Sequence, residues 1–290
     1  MTNLKGVGGK RMATGVAAAV LAAAAFGALA LAGTASAGAP GEVAAVAAEG
    51  GKHGSRPTVV LEHGAFADSS SWNGVISRLR ADGYPVVAAA NPLRGPHGDA
   101  TALRGLLDHV KGPKILVGHS YGGSVISEAA ADRTDVKALV YVAAFLPAPG
   151  ETALELTGKY PGSTLPGALD PVPVTNPDGA TGTDLYIRQD EFPHQFAADV
   201  PRAEAALAAA GQRPIAQAAL EEKATAAAWK TIPSWAVVTT QDLNIPAAAQ
   251  RFMAERAGAH VTEVAASHSV AVSRPGVVAR VIENAARATR

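Results

Sequence analysis

The stretch Lys114-Ile115-Leu116-Val117-Gly118-His119-Ser120-Tyr121-Gly122-Gly123 decides how this chain is read. Residues 114–117 are a short apolar run of the kind that forms a buried strand, and residues 121–131 read as a helix. Between them lies G-x-S-x-G. The bare pattern is weak in a chain with 30 glycines. Its context makes it specific, because a strand leads in and a helix leads out. Glycines two before and two after Ser120 remove side chains that would clash in so tight a turn. The turn lifts the Ser120 hydroxyl above the sheet edge, where the helix N-terminus favours negative charge. Ser120 is a candidate nucleophile.

Outward from this stretch the chain alternates. Residues 58–61, 85–90 and 136–144 read as further strands. A helix with Trp72, Val75, Ile76 and Leu79 on one face starts at a Ser69, Ser70 or Ser71 cap, and a second covers residues 100–110. Strands alternating with helices predict an α/β fold, a mostly parallel sheet flanked by helices. Residues 147–232 break the pattern, first with Pro- and Gly-rich sequence and then with Ala-rich helical stretches near 202–210 and 214–229. No strand is evident there, so a helical cap insertion is expected. The alternation resumes with a strand at 234–239, a helix at 246–257, a strand at 260–264 and a closing helix at 277–288. The expectation is one α/β domain over residues 57–290.

The N-terminus has a different character. Lys5, Lys10 and Arg11 precede an almost wholly Ala, Val, Leu and Gly run over residues 12–32, followed by Ala35-Ser36-Ala37. Positive, apolar, then small is the pattern of a secretory signal, with cleavage expected after Ala37. Residues 38–56 read as a linker or tail. A secreted chain with no stable membrane span after cleavage is expected. Hydrophobic residues make up 48% of the chain and charged residues 17%, enough apolar sequence for a sizeable core. Basic and acidic residues number 25 each and no basic stripe exists, so no nucleic-acid partner is expected. The absence of cysteine excludes disulfides, thiolate metal sites and a cysteine nucleophile.

A serine hydroxyl needs a base. Among eight histidines, His268 lies just past the last predicted strand, at the same sheet edge as Ser120. His260 starts that strand, at the opposite edge and on the surface. His119 is expected to pack beside its strand, turned away from the nucleophile, and His63 to orient a loop. The base needs an orienting carboxylate. Asp242 follows the strand SWAVVTT directly and again lies at the carboxyl edge of the sheet, whereas Glu263 lies within a strand. An oxyanion hole is expected from the backbone N–H groups of Ala65, in His63-Gly64-Ala65-Phe66, and of Tyr121.

On HGAF, GHSYGG, the aspartate of TTQDLNIP and the histidine of ASHS, the chain from Pro57 onward resembles the α/β-hydrolase superfamily. Within it, it is similar to the branch of small esterases and hydroxynitrile lyases. The resemblance implies an eight-stranded sheet with the cap after the sixth strand, so that two strands either come from residues 40–56 or are missing. It also implies acyl transfer from a small-molecule ester with no metal or organic cofactor. Phe66 and the cap aromatics Tyr160, Tyr186, Phe192, Phe196 and Trp229 are candidate substrate-lining residues. A cofactor-free lyase or haloperoxidase-like enzyme, or a non-catalytic binder, are the other readings. In the lyase members a lysine follows the histidine and a threonine replaces the glycine of HG. Here Ser269 and Gly64 hold those positions, which favours the ester hydrolase. Nothing in the sequence sets the oligomeric state.

Overall fold

The structure, a computed structural model, describes residues 56–175 and 179–289. The expected signal segment and most of the 38–56 linker lie outside the described residues. Strands β1 (Thr58–Glu62), β2 (Val86–Ala89), β3 (Lys114–His119) and β4 (Val136–Val142) alternate with helices α1 (Asn73–Ala81), α2 (Pro96–His109) and α3 (Gly122–Ala129). An insertion follows, with helices α4 (Ala153–Gly158) and α5 (Leu165–Ala168), strands β5 (Leu169–Thr175) and β6 (Thr181–Ile187), helices α6 (Phe192–Gln195) and α7 (Arg202–Gly211), strand β7 (Ile215–Ala216) and helix α8 (Gln217–Glu221). The main sheet then resumes with β8 (Ser234–Thr239), α9 (Ala247–Arg256), β9 (His260–Val264), α10 (Val270–Ser273) and α11 (Pro275–Ala288).

The main sheet has six strands in the order β2-β1-β3-β4-β8-β9, and every pairing in it is parallel. Both faces are covered, so its central strands read as continuous apolar runs. Successive side chains go to opposite faces. Val59, Leu61, Ile115, Val117 and Val140 meet α1 and α11, which contribute Val75, Leu79, Val278, Val281 and Ile282. Val60, Leu116 and Leu139 face the other way, toward α2, α3 and the insertion. Each fully buried Val, Leu or Ile contributes roughly 1.5–3 kcal/mol. One lysine is buried among them. Lys114 is 2% exposed, and its Nζ donates to Asp135 Oδ2 and Gly112 O at 2.8 Å each. The guanidinium of Arg133 first, and Lys114 after it, hold the Asp135 carboxyl well below its usual range.

Three expectations are corrected. The insertion is not purely helical, because β5, β6 and β7 form an antiparallel sheet. Its strands were hidden by composition. β5 carries Pro171 and Pro173, which a strand tolerates only at an edge, and β5 is an edge strand here. In β6 only Leu185 and Ile187 are buried, so its period-two signal spans two residues. The Ala-rich stretch at 214–229 is not one helix either. Ile215 and Ala216 pair with β6, which leaves only the five residues of α8 before an irregular run. The first helix is led in by a 3-10 turn, Ser69–Trp72, capped by Asp68, whose carboxylate accepts from the Ser70 N–H. Serine hydroxyls do not cap it. The described residues hold six strands of the main sheet where the resemblance implied eight. The two further strands expected from residues 40–56 fall almost wholly outside the described residues.

Candidate active site

Ser120 stands between the end of β3 and the start of α3. Its φ of 54° lies in the left-handed region, a conformation that costs a side-chain-bearing residue on the order of 1–3 kcal/mol. The surroundings impose it. A Cβ on Gly118 would fall 2.6 Å from Gly122 O, and one on Gly122 would fall 2.6 Å from Glu62 O. The Ser120 carbonyl accepts from Gly123 N–H at 3.0 Å and Phe145 N–H at 3.1 Å, which locks the turn. The motif glycines therefore let helix, strand and turn approach closely enough to present the serine.

His268 and Asp242 meet as the sequence predicts. His268 Nδ1 lies 2.7 Å from Asp242 Oδ2, with both side chains buried. A carboxylate accepts, so Nδ1 carries the proton and neutral His268 keeps its lone pair on Nε2. The Asp242 carboxylate is itself fixed. Its Oδ1 accepts from the N–H groups of Asn244 and Ile245, and its Oδ2 from Thr239 Oγ1 and Gln250 Nε2, all within 2.8–3.0 Å. Thr239 and Gln250 had no signal in the sequence, because an ordinary strand Thr and helix Gln acquire this role only when β8 and α9 bring them to Asp242.

The loop carrying His268 is held from both sides. His119 Nε2–H donates to the His268 carbonyl at 2.9 Å, and their rings lie 4.8 Å apart. His119 does pack beside its strand, as expected, but it is not turned away from the site. Burial first, then the neighbouring His268, lowers its pKa to about 3, so its ring is neutral at ordinary pH. From the insertion, Phe196 O accepts from Ser269 N–H and Ser269 Oγ, and Asp199 Oδ1 accepts from Ser267 N–H at 3.2 Å. His260 is exposed and stacks on Trp235, and Glu263 pairs with Arg251 away from the site.

Among the described residues nothing accepts from the backbone N–H of Ala65 or of Tyr121. Both residues are buried and line one cavity with Ser120 and His268. Unpaired buried N–H groups are rare in folded chains, and two that border one cavity are donors an anion there could use. Each is braced. His63 Nδ1–H donates to Gly64 O at 2.9 Å, its Nε2 accepts from Asn91 N–H at 3.0 Å, and burial lowers its pKa, so it orients the loop before Ala65 as a neutral ring. Tyr121 Oη donates to Asp99 Oδ2 at 2.8 Å.

That cavity measures about 60 Å³ and is walled mainly by apolar side chains, among them Phe66, Phe145, Leu165, Phe196 and Ile245. Of the expected lining residues, Phe66 and Phe196 are there. Phe192 stacks behind Phe196 at 4.9 Å. Tyr160 is elsewhere, against Phe252 at 5.9 Å. Tyr186 borders a separate surface pocket on β6, and Trp229 is buried with its Nε1 donating to Pro147 O. Those three aromatics pack the insertion and do not line this cavity. Leu154, Thr157, Leu165, Pro166, Leu169 and Leu220 take their place. No Lys or Arg lines it. Arg274 lies instead 3.7 Å from Asp199 and is half exposed. Among the described residues no cluster of His, Cys, Asp and Glu could hold a metal ion, and no helix is long and apolar enough to cross a membrane.

A parallel sheet with a serine in a left-handed strand-to-helix turn, and a His–Asp pair at the same edge, defines a recognisable class. The model of the alpha/beta hydrolase family matches residues 59–281. The chain belongs to the alpha/beta hydrolase family. It is 27% identical over 253 residues to an alpha/beta hydrolase, nvfD, of Aspergillus novofumigatus, covering 80% of this chain and 97% of that one. It is 28% identical over 257 residues to a pyrethroid hydrolase of Sphingobium wenxiniae, covering 79% and 88%. Its fold is similar to that of polyneuridine aldehyde esterase, with a TM-score of 0.68 at 18% identity over 79% of this chain and 98% of the other. These relatives and the family support hydrolase activity.

Proposed function

We propose that this chain is an exported serine hydrolase that cleaves small carboxylic esters through an acyl-enzyme. The observation that carries the reading is the left-handed Ser120 turn sharing one small cavity with two unpaired amides and with His268, which is paired behind it to buried Asp242. His268 Nε2 takes the proton of Ser120 Oγ as that oxygen attacks the ester carbonyl. The carbonyl oxygen becomes an oxyanion and accepts from the Ala65 and Tyr121 N–H groups, each donor contributing about 3 kcal/mol to the transition state. The imidazolium, steadied by Asp242, returns its proton to the departing alkoxide. Water then gives its proton to Nε2 as it attacks the acyl carbon, and on collapse of that adduct the imidazolium returns the proton to Ser120 Oγ and the acid is released. Each proton and electron pair in this sequence is carried by the chain, the ester or water. The relative named a pyrethroid hydrolase supports this reading. Export rests on the charged, apolar and small-residue order of residues 5–37.

Gly64 argues against the lyase alternative. A Cβ there would lie 2.6 Å from Ser120 Cβ and 2.8 Å from His119 O, so the threonine of the lyase members has no room. The cavity also has no cation to stabilise departing cyanide. The deciding experiment is a panel of p-nitrophenyl esters of graded acyl length, with Ser120→Ala as blank. Serine-dependent ester cleavage supports the reading. Serine-dependent cyanide release from mandelonitrile that outpaces ester cleavage overturns it.

A further inference from the structure

We propose that a second concavity, beside the Ser120 cavity, is a subsite for the alcohol portion of esters whose alcohol is a large apolar group. This rests on the ester-hydrolase reading above. The groove measures about 370 Å³ and lies between α7 and the turn that runs from Phe66 to Gly74. Pockets that hold drug-sized ligands span roughly 300–1,000 Å³. The groove reaches that range, whereas the Ser120 cavity, at about 60 Å³, falls far short of it.

The two spaces are neighbours. Among the described residues, Phe66 and Phe196 alone line both. Their rings meet edge to face at 6.2 Å, so one aromatic contact stands between the groove and the serine. Phe66 sits at a φ of 60°, unusual for a residue with a side chain, held there as its N–H donates to Arg213 O. That backbone turns its ring toward Phe196 and closes the partition.

Chemistry assigns the groove to the alcohol. The leaving alkoxide takes its proton from His268, so the alcohol must lie on the His268 side of the carbonyl carbon. Phe196, the partition, packs against the His268 ring at 4.9 Å. Ser269, which follows His268, and Val272, one helical turn on, line the groove itself. Apart from Glu204, the wall on α7 is apolar and includes Leu207, which at 76% is the most exposed large apolar side chain among the described residues. An apolar alcohol in the groove would cover it.

The test holds the acyl group constant and changes the alcohol. The full chain, Ala208→Trp (which fills the groove from α7) and Leu207→Ala (which strips its wall) are compared on methyl acetate and biphenyl-4-ylmethyl acetate by acid release. The expected result is a fall in kcat/KM for the biphenyl ester at least tenfold greater than for methyl acetate in Ala208→Trp, with a smaller shift of the same sign in Leu207→Ala. A selectivity ratio unchanged within twofold in both variants overturns the proposal. A calorimetric arm separates it from the ester reading. Biphenyl-4-methanol should bind Ser120→Ala and bind at least tenfold more weakly when Ala208→Trp is added, whether or not any ester is cleaved. Binding indifferent to Ala208→Trp also overturns it. Absence of serine-dependent cleavage overturns only the ester-hydrolase reading.

Discussion

His119 Nε2–H donates to the backbone carbonyl of His268 at 2.9 Å, tying the residue before the candidate nucleophile to the loop that carries its candidate base. The bond crosses from the end of β3 to the loop after β9, strands that do not pair with each other. It couples the strand end that leads into Ser120 to the loop that carries His268. His119→Leu should lower kcat about tenfold to a hundredfold, since a displacement of about 1 Å at the reacting groups can cost that much. His119→Gln, which keeps a donor, should recover part of the loss. Burial keeps the His119 ring neutral, with its Nε2–H in place, across the working pH range, so the shape of the pH–rate profile between pH 5 and 9 should survive either change. Steady-state kinetics across that range check both statements, and an altered profile would mean that His119 itself titrates in catalysis.

Asp242→Asn removes the acceptor that keeps the Nδ1 proton of His268 in place. The amide can present a donor there, which favours the opposite tautomer and puts the proton on Nε2, where a lone pair is required. Turnover should fall by about 10³–10⁴, with only a modest fall in Tm, because the Asn244 and Ile245 amides still hold Oδ1 while the new amide group meets the Gln250 donor at the Oδ2 position. Gln250→Ala should give a milder loss, as it frees the carboxylate without removing it. Equal losses in the two variants would contradict this ordering.

Gly64 leaves no space for a side chain. Gly64→Thr should abolish ester cleavage, because the added atoms displace Ser120 or the loop before Ala65, and it should not create cyanohydrin cleavage. Gly64→Ala should already lose most activity. Parallel assays of a p-nitrophenyl ester and of cyanide release from mandelonitrile, with circular dichroism as a folding control, settle this.

Glu62 lies at the end of β1, is buried, and leaves Oε2 without a partner. Burial, with the Asp99 charge beside it, raises its pKa from 4.5 to about 8. The folded chain therefore keeps a proton that the unfolded chain gives up above pH 4.5. Folding stability from this group is fully present below that value, falls as pH rises, and levels off beyond about 8. The loss amounts to a few kcal/mol at about 1.4 kcal/mol per unit. Urea unfolding from pH 5 to 9 should show Glu62→Gln gaining on the wild type steadily as pH rises. A constant difference between the two would mean that Glu62 is already ionised in the folded protein.

Much of this was legible in the chain itself. Residues 114–123 determine a strand, a sharp turn and a helix, because apolar content, glycine spacing and a lone serine act locally. The same holds for the strands read at 58–61 and 234–239, whose apolar runs need only a sheet to join, and for 260–264, where apolar and polar residues are mixed. Chain order alone placed Ser120, Asp242 and His268 at the carboxyl ends of strands, and a parallel sheet brings such ends together at one edge. Tertiary structure decided what depends on partners distant in sequence. The Pro-containing β5 is a strand only because β6 supplies its ladder on one side and leaves the other free. Tyr160, Tyr186 and Trp229 carry the same aromatic signal as Phe66 and Phe196, yet packing sent the first three elsewhere and left the last two between the cavity and the groove. Thr239, Gln250 and His119 became supports of the site in the same way. Residue type and spacing specify what a side chain can do, but its neighbours are set by how helices and loops more than a hundred residues apart close over the sheet.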